Sequence, residues 1–495
     1  MRICILGGGL AGFSTAAILS KYASFCNYEL DIEVIHNPSI KAITAGESTQ
    51  IQINLLFDYL GLFDNDWMKE CDATYKAGVR FQDFNYGTHF FYPFFSDSFA
   101  ATEDEKKANV RTWFAAREEH RFTPDLSANY FQPNGTKYLD HNRLAANLQT
   151  AYHFNASKLG NFLKRYAEAK GVVVHEATYK DAITDAQGNI RALLCDDQSH
   201  HADYFIDCTG FNSLLLNKVP NKWIPFDKTL INNRVIRASI EYKNKSNELK
   251  NYTNSTAFKH GWCWDIPLWT HRSVGYVHTT QFTTEDEIEQ EFRDHFGDVE
   301  TDVLTFKSGR FEKSFVNNVI GVGTSCGFTE PLEATNISAI VQNIFTLTEF
   351  LNKRNGTITT VDKDMFNHKV SEGFDTWRTF IECHYIFALR SDSDYWNHIS
   401  HGINWDYQST SSFNYREILQ TVTKRTFRGC EDLLGPLHIA AGQGYSPLAS
   451  DFLNHPDIKK TSFDKQRFLN DLDFNRQEMD EQLSSYLFLK ETIYK

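Results

Sequence analysis

A chain of 495 residues, 41% of them hydrophobic, is long enough to bury a substantial core in roughly two to four domains. Its formal charge of −13 excludes the broad basic face on which nucleic-acid-binding proteins rely. Nine scattered cysteines with no Cys-x-x-Cys pair exclude a disulfide framework and a cysteine zinc site, and read as reduced thiols with no metal centre.

The first apolar run has no basic leader and ends in glycines, so it reads as a strand and not as a signal peptide. No apolar stretch has the length needed to span a bilayer. The expectation is a soluble cytoplasmic protein. Arg2 to Leu6 is that strand, followed by Gly7-Gly8-Gly9-Leu10-Ala11-Gly12 and then a helical pattern through Ala16, Ala17, Ile18 and Leu19. Asp31 to Ile35 supplies a second strand. In such a β-α-β unit Gly7 permits the tight turn, Gly9 lets a pyrophosphate approach the backbone, and Gly12 lets helix pack on strand, with the helix N-terminus facing the phosphates. Where an acidic residue usually receives the ribose hydroxyls, this chain has His36. Either His36 or Asn37 takes that role or the contact is lost, and the plain reading of His36 is a polar residue at a strand end.

Ser157 to Lys170 reads as an amphipathic helix with Leu159, Phe162, Leu163 and Tyr166 on one face. Val172 to Val174 reads as a buried strand, and Ile183 to Leu194 as a hairpin around Asp185 to Asn189. Tyr204 to Phe211 is a strand running into a glycine turn, and the stretch from Lys243 to Asn247 an exposed loop. From about residue 340 helical patterns dominate: Ser338 to Asn352, Phe374 to Leu389 and Asp464 to Leu489. The fold class expected is α/β, with a Rossmann-like dinucleotide-binding core. A β-rich substrate region and a mostly helical C-terminal subdomain complete it. Residues 1–340 form the core, with inserted substrate segments near 80–150 and 225–310, and 341–495 form the helical subdomain.

Several segments together carry a resemblance. They are Gly46-Glu47-Ser48-Thr49, Tyr75-Lys76-Ala77-Gly78-Val79-Arg80-Phe81, Tyr152-His153-Phe154 and Asp207-Cys208-Thr209-Gly210-Phe211. Gly261-Trp262-Cys263-Trp264-Asp265-Ile266-Pro267 and Gly327-Phe328-Thr329-Glu330-Pro331-Leu332-Glu333 complete the set. In this order they resemble the flavin-dependent halogenases, especially the tryptophan halogenase branch. The Trp block, the lysine segment and the Glu-Pro-Leu-Glu segment are the specific ones, whereas the glycine motif and the segment at Asp207 occur in many FAD enzymes.

The resemblance implies that the Rossmann-like core is an FAD-binding core of the aromatic hydroxylase (monooxygenase-like) type, and it implies a reaction. Reduced FAD and O2 form a flavin hydroperoxide, a halide ion attacks it to give hypohalous acid, and that acid travels to Lys76 for electrophilic attack on an aromatic ring. Lys76 either hydrogen-bonds the acid or becomes a haloamine, and Glu333 orients the halogenating species or deprotonates the cationic ring intermediate. Trp262, Trp264, Ile266 and Pro267 are then expected to line the path and keep substrate from the flavin. FAD falls to Gly7, Gly9, Leu10, Ala11, Gly12, His36, Ala45, Glu47, Asp207, Gly210, Gly323 and Ile337. The backbone amides of Thr335 and Asn336 are assigned to the halide. Each residue also has a plain reading: a lone lysine is usually a solvated charge, Trp262 and Trp264 are core aromatics in a chain with 40 Phe and 22 Tyr, and Glu333 caps a helix.

Two departures matter. Chlorinating relatives read Ser-Thr-Gly after the glutamate, but this chain reads Ala334-Thr335-Asn336, so Asn336 stands where a glycine takes positive φ freely. A halide pocket changed in this way points to bromide or iodide. Aligned on Ala441-Gly442-Gln443-Gly444, the aromatic pair and asparagine that grip tryptophan are replaced by Cys430, Glu431 and Gly435. The aromatic strip with His89, Phe91 and Tyr92 persists in part, and Trp396 resembles a pocket-flanking residue. The expected substrate is therefore a substituted indole or phenol and not free tryptophan. The alternatives are an FAD-dependent aromatic monooxygenase and a catalytically silent flavin-binding protein. No second nucleotide fold is evident, so a separate flavin reductase is the expected transient partner, and a homodimer or higher homo-oligomer is compatible with the chain. No nucleic acid or membrane partner is expected.

Overall fold

The computed structural model describes residues 1–26, 29–40, 46–76, 78–85, 87, 89–93, 150–353, 357–403, 439, 442–443 and 485–495. The chain divides into two compact units. The first comprises Met1–Ala73, His153–Asp227 and Phe306–Trp377, and the second Thr74–Tyr152, Lys228–Thr305 and Arg378–Lys495.

The first unit is built on a six-stranded sheet in the order Phe315–Val316, Val319–Gly321, Tyr204–Asp207, Arg2–Leu6, Asp31–His36, Val173–Glu176. Only the Phe315–Val316 pairing is antiparallel. Covered on both faces, the central strand is an uninterrupted apolar run, with Ile3, Cys4, Ile5 and Leu6 all buried. Its register, Leu6 opposite both Asp207 and Ile35, brings three strand ends together beside the glycine turn. The crossover helix Leu10–Cys26 starts there. Helix Ala156–Glu168 packs against that start, with Gly160 close enough that a Cβ would lie 3.5 Å from the Leu10 amide. Asn155 caps this second helix by accepting from the Lys158 amide at 3.0 Å.

The expected hairpin forms from Tyr179–Thr184 and Ile190–Cys195, its turn held by the Asp185 carboxylate, which accepts from the Gln187 and Asn189 amides at 2.9 Å. Two expectations need correction here. Val173 lies on an edge strand and is 50% exposed, so the Val172–Val174 run is not a buried strand. Of the four residues expected on the apolar face of helix Ala156–Glu168, Leu159 and Leu163 are buried, together with Gly160 and Ala167; Phe162 and Tyr166 sit at its margin, where the Tyr166 hydroxyl donates to the Leu60 carbonyl at 3.0 Å.

The second unit contains a seven-stranded sheet in the order Thr301–Thr305, Arg234–Glu241, His271–His278, Gly261–Pro267, Tyr252–Phe258, Gly78–Gln82, His89–Pro93. All neighbours are antiparallel except Tyr252–Phe258 with Gly78–Gln82. Helix Glu285–Phe296, opened by a Thr284/Glu287 capping box, buries Ile288 and Phe292 against Ile236, Val274 and Tyr276. The stretch from Lys243 is not simply a loop. It contains the helical turn Lys245–Glu248, and the Lys245 ammonium lies 3.3 Å from the Trp269 ring centroid.

The later helices run Thr335–Lys353 and Thr360–Ile386, the latter starting well before the expected Phe374. Most of Asp464 to Leu489 lies outside the described residues, apart from part of helix Ser485–Thr492. Among the described residues no helix is long and apolar enough to cross a membrane.

Candidate active site

In the first unit, the glycine turn shows why each glycine is there. Gly7 takes φ +115°, and a Cβ on it would lie 2.4 Å from the Cys208 carbonyl oxygen. One on Gly12 would lie 1.8 Å from the Gly7 carbonyl oxygen, so helix and turn meet with no room for a side chain. Gly9 is different: nothing lies within 4 Å of its would-be Cβ. The open space at Gly9, at the start of helix Leu10–Cys26, is what a pyrophosphate needs, and the residues present fit FAD.

His36 borders this turn. A Cβ on Gly8 would lie 2.1 Å from its Nδ1, and the ring meets Phe13 edge-on at 5.6 Å. Burial, aided by Lys164, pulls the imidazole below its ordinary range, so it is neutral at pH 7. Asn37 is engaged locally, donating to Thr178 Oγ1 at 3.1 Å and accepting from the Ser39 amide at 2.9 Å. Glu47 lies on strand Gly46–Ser48 opposite Phe154; Ala45 lies outside the described residues.

Asp207 is fully buried at the end of its strand. Its carboxylate accepts from the Thr209 amide at 3.0 Å, Thr209 Oγ1 at 2.6 Å, and the Leu215 and Leu216 amides at 2.7 and 3.0 Å. These bonds shape the turn in which Gly210 takes φ +61°. Burial raises the carboxyl above the usual range although the four hydrogen bonds pull the other way. Gly323, at φ +67°, starts a 3₁₀ turn after strand Val319–Gly321; a Cβ there would lie 2.7 Å from Ile340 and 3.6 Å from Ala11. Ile337 is buried one helical turn from Ile340.

Glu333 ends the 3₁₀ turn Pro331–Glu333 and is 1% exposed. Its carbonyl accepts from Gln50 Nε2 at 2.9 Å, while Gln50 Oε1 accepts from Ser338 Oγ at 3.1 Å. Gln50 thus holds both sides of the turn, a role that its place just after Gly46-Glu47-Ser48-Thr49 would have signalled. The left-handed residue here is Ala334, at φ +55°, and not Asn336, which is helical. Thr335 and Asn336 open a 19-residue helix, where the first amides have no intrahelical acceptor. Thr335 Oγ1 is 2.8 Å from Thr329 Oγ1.

In the second unit, Lys76 ends strand Thr74–Lys76 and is 0% exposed. Its carbonyl accepts from Thr150 Oγ1 at 3.3 Å. Two residues earlier, Thr74 Oγ1 donates to the Pro267 carbonyl at 2.6 Å, tying the lysine strand to the end of strand Gly261–Pro267. Trp262 and Trp264, two apart and therefore on one face, are both buried with ring centroids 6.1 Å apart. Among the described residues neither indole N–H meets an acceptor. Gly275 sits opposite Trp264, where a Cβ would lie 2.2 Å from the indole. Ile266 and Pro267 are also buried.

His89 is half-buried and pairs with Gln82; the side chains of Phe91 and Tyr92 lie outside the described residues, though their strand pairs with Gly78–Gln82. Between them in sequence, Phe90 stacks on Phe81 at 5.1 Å and leaves no room for a side chain on Gly442, whose Cβ would come within 2.2 Å. Gln443 donates to the His384 carbonyl at 2.8 Å. Cys430, Glu431 and Gly435 lie outside the described residues. Trp396 packs as a core aromatic: 0% exposed, its Nε1–H donates to the Phe258 carbonyl at 2.8 Å, and the Arg390 guanidinium lies over the ring at 4.9 Å. Arg390, which the sequence reading missed, also grips Asp392 at 2.7 and 2.8 Å.

A model of the tryptophan halogenase family matches residues 2–453. Tryptophan 6-halogenase ThaL of Streptomyces albogriseolus is 32% identical over 424 residues, 80% of this chain and 78% of that protein. Tryptophan 7-halogenase KtzQ of Kutzneria sp. (strain 744) is 31% identical over 422 residues, 80% and 77% of the two chains. Among solved structures, apo VirX1 is 29% identical with a TM-score of 0.85, covering 100% of this chain and 99% of that one. Tar14, a tryptophan C-6 flavin-dependent halogenase (chlorinase) from taromycin biosynthesis, is 27% identical with a TM-score of 0.82, over 99% and 100%. The family match spans the lysine strand, the Trp strand and the glycine turn, and the fold is similar to that of the solved structures over their whole length. The chain belongs to the tryptophan halogenase family of flavin-dependent halogenases, enzymes that use FADH2, a halide ion and O2.

Proposed function

We propose that this enzyme halogenates an electron-rich aromatic other than free tryptophan, a substituted indole or a phenol, and prefers bromide or iodide to chloride. The observation that carries the reading is Lys76. A lysine with 0% exposure is uncommon, because its ammonium is expensive to remove from water unless it is paired or hydrogen-bonded. Its strand is fastened to the end of the strand that carries the buried Trp262 and Trp264, which supports a role for both tryptophans beside the oxidant's route to it.

Bound flavin, once reduced, supplies with O2 the oxidising power for the halide. Gly7, Gly9, Leu10, Ala11, Gly12, His36, Glu47, Gly210, Gly323 and Ile337 hold it in this reading, with Asp207 shaping the turn at Gly210. Thr335 and Asn336 offer backbone amides to the halide at a helix start. Lys76 donates a hydrogen bond to the hypohalous acid, or carries the halogen, and delivers it to the ring. Glu333, buried and fixed through its own backbone by Gln50, takes up the ring proton. Ala334 contributes only a methyl where relatives carry a hydroxyl, which leaves the halide side less polar and favours an ion that sheds water readily. The separate reductase proposed above supplies reduced flavin by diffusion.

Substrate choice is open to experiment because ThaL and KtzQ, named for different ring positions, are equally similar to this chain. The test is mass spectrometry of products from an aromatic panel with a flavin reductase and each halide. Brominated or iodinated indoles or phenols are expected, absent in Lys76→Ala at unchanged flavin content. Chloride consumed ahead of equimolar bromide would sink the halide assignment, tryptophan turned over far faster than simple indoles the substrate assignment, and halogenation persisting in Lys76→Ala the lysine's role.

A further inference from the structure

Away from the residues assigned to flavin, the first unit assembles a second cluster of chemistry-bearing side chains. Glu33 lies on strand Asp31–His36, and His175 on the neighbouring edge strand Val173–Glu176. His200 lies on the short strand Ser199–His200, which belongs to a different, three-stranded sheet. Nothing in the sequence spacing links positions 33, 175 and 200; only the meeting of the two sheets does. Glu33 Oε2 is 3.3 Å from His175 Nε2 and 3.2 Å from His200 Nδ1, and the two imidazoles meet edge to face with centroids 4.6 Å apart.

We propose that Glu33, His175 and His200 form a binding site for a divalent transition-metal ion of the zinc type. An ion bonded at about 2.0–2.1 Å to imidazole nitrogen and carboxylate oxygen sets neighbouring ligand atoms about 3.3 Å apart at the tetrahedral angle. The Glu33–His175 and Glu33–His200 separations match that spacing, and all three donor atoms fall within 4.8 Å of one another. Two imidazoles and one carboxylate are a donor set that zinc and its first-row neighbours accept, with the fourth position open to water.

The surroundings select these donors over the alternatives. His200 is buried, and its second nitrogen, Nε2, is 3.3 Å from Asp197 Oδ1. That is the outer-shell arrangement of metal-bound histidines: one ring nitrogen faces the ion while the other donates to a carboxylate that fixes tautomer and ring angle. Cys195, Asp197 and His200 make a second grouping. His200 cannot give both nitrogens to one ion, so Asp197 serves as orienter and Cys195 stays outside the set. Glu33 and His175 remain partly open to solvent, with side chains 16% and 23% exposed, which leaves the ion a way in. A metal here would staple the edge of the parallel sheet to its neighbour, three residues upstream of His36, and would need no part in the redox chemistry.

The test is zinc titration of the full-length chain, stripped with chelator, by calorimetry or competition with a chromophoric chelator. About one zinc per chain is expected, with an upward shift in Tm on zinc addition. His175→Ala, at a partly exposed position on an edge strand, should weaken binding at least tenfold and remove the Tm shift. Asp197→Asn should weaken it about ten- to a hundredfold without abolishing it. Cys195→Ser should bind zinc as the parent does. Parent-like binding by His175→Ala, no binding by the parent, or loss of zinc in Cys195→Ser would each overturn the assignment. None of these outcomes depends on halogenation, so the proposal stands or falls apart from the substrate reading.

Discussion

At the scale of single residues, the glycine turn separates two demands that the motif alone merges. Gly7 and Gly12 are required by the protein's own backbone, whereas Gly9 faces open space. Gly7→Ala should therefore cost several kcal/mol, since it combines a positive φ with a carbonyl contact that cannot relax cheaply, and thermal unfolding should show it. Gly9→Ala should unfold within about 0.5–1 kcal/mol of the parent yet bind FAD at least about tenfold more weakly by fluorescence titration, because the methyl occupies the space the pyrophosphate needs. Equal flavin affinity in Gly9→Ala would contradict the placement of the phosphates at Gly9. Asp207 shows the complementary case: four donors converge on one buried carboxylate, and through them it holds the backbone of the Gly210 turn.

At the scale of elements, the Trp strand depends on a glycine across from it. Gly275 leaves the space into which the Trp264 indole fits, and Gly261 at the strand's start lies so close to Val277 that a Cβ would be 2.0 Å from its carbonyl oxygen. Gly275→Ala must displace the indole, at a cost of about 1–3 kcal/mol for overpacking. If Trp264 guards the oxidant's route, the same variant should yield less halogenated product per reduced flavin consumed. Parent-like coupling despite lowered stability would make Trp264 a core residue only. The turn before helix Thr335–Lys353 is the other element whose geometry departs from its sequence signal. Asparagine at 336 suggested the left-handed position, but the chain places alanine there, because the 3₁₀ turn Pro331–Glu333 needs its reversal one residue after Glu333.

At the scale of the whole molecule, pH acts through buried histidines in both units. His36, His260 and His278 are all held below the ordinary imidazole range, with burial the largest cause at each. In the unfolded chain such groups take up protons near pH 6.5, so acidification favours unfolding from there down to the depressed native values. Tm should fall as pH drops from 7.5 to 5; a Tm that rises or stays flat over that range would contradict it.

What the sequence disclosed follows the same logic of distance. The Rossmann turn, the Trp strand and the lysine segment are local patterns, in which spacing along the chain equals spacing in space, and they were legible. Val173's exposure depends on which strand ends the sheet, and the Glu33–His175–His200 cluster on how two sheets meet; neither leaves a local trace. Family resemblance supplied roles that geometry within each unit does not by itself assign, above all for Glu333.

Lys76 has a consequence of its own for how this protein meets reagents. Because solvent does not touch it, bulky amine-directed labels that mark exposed lysines are screened from it by the fold. On the function proposed above, such burial would act as a sieve by size, turning away the larger electrophiles that would otherwise consume the amine.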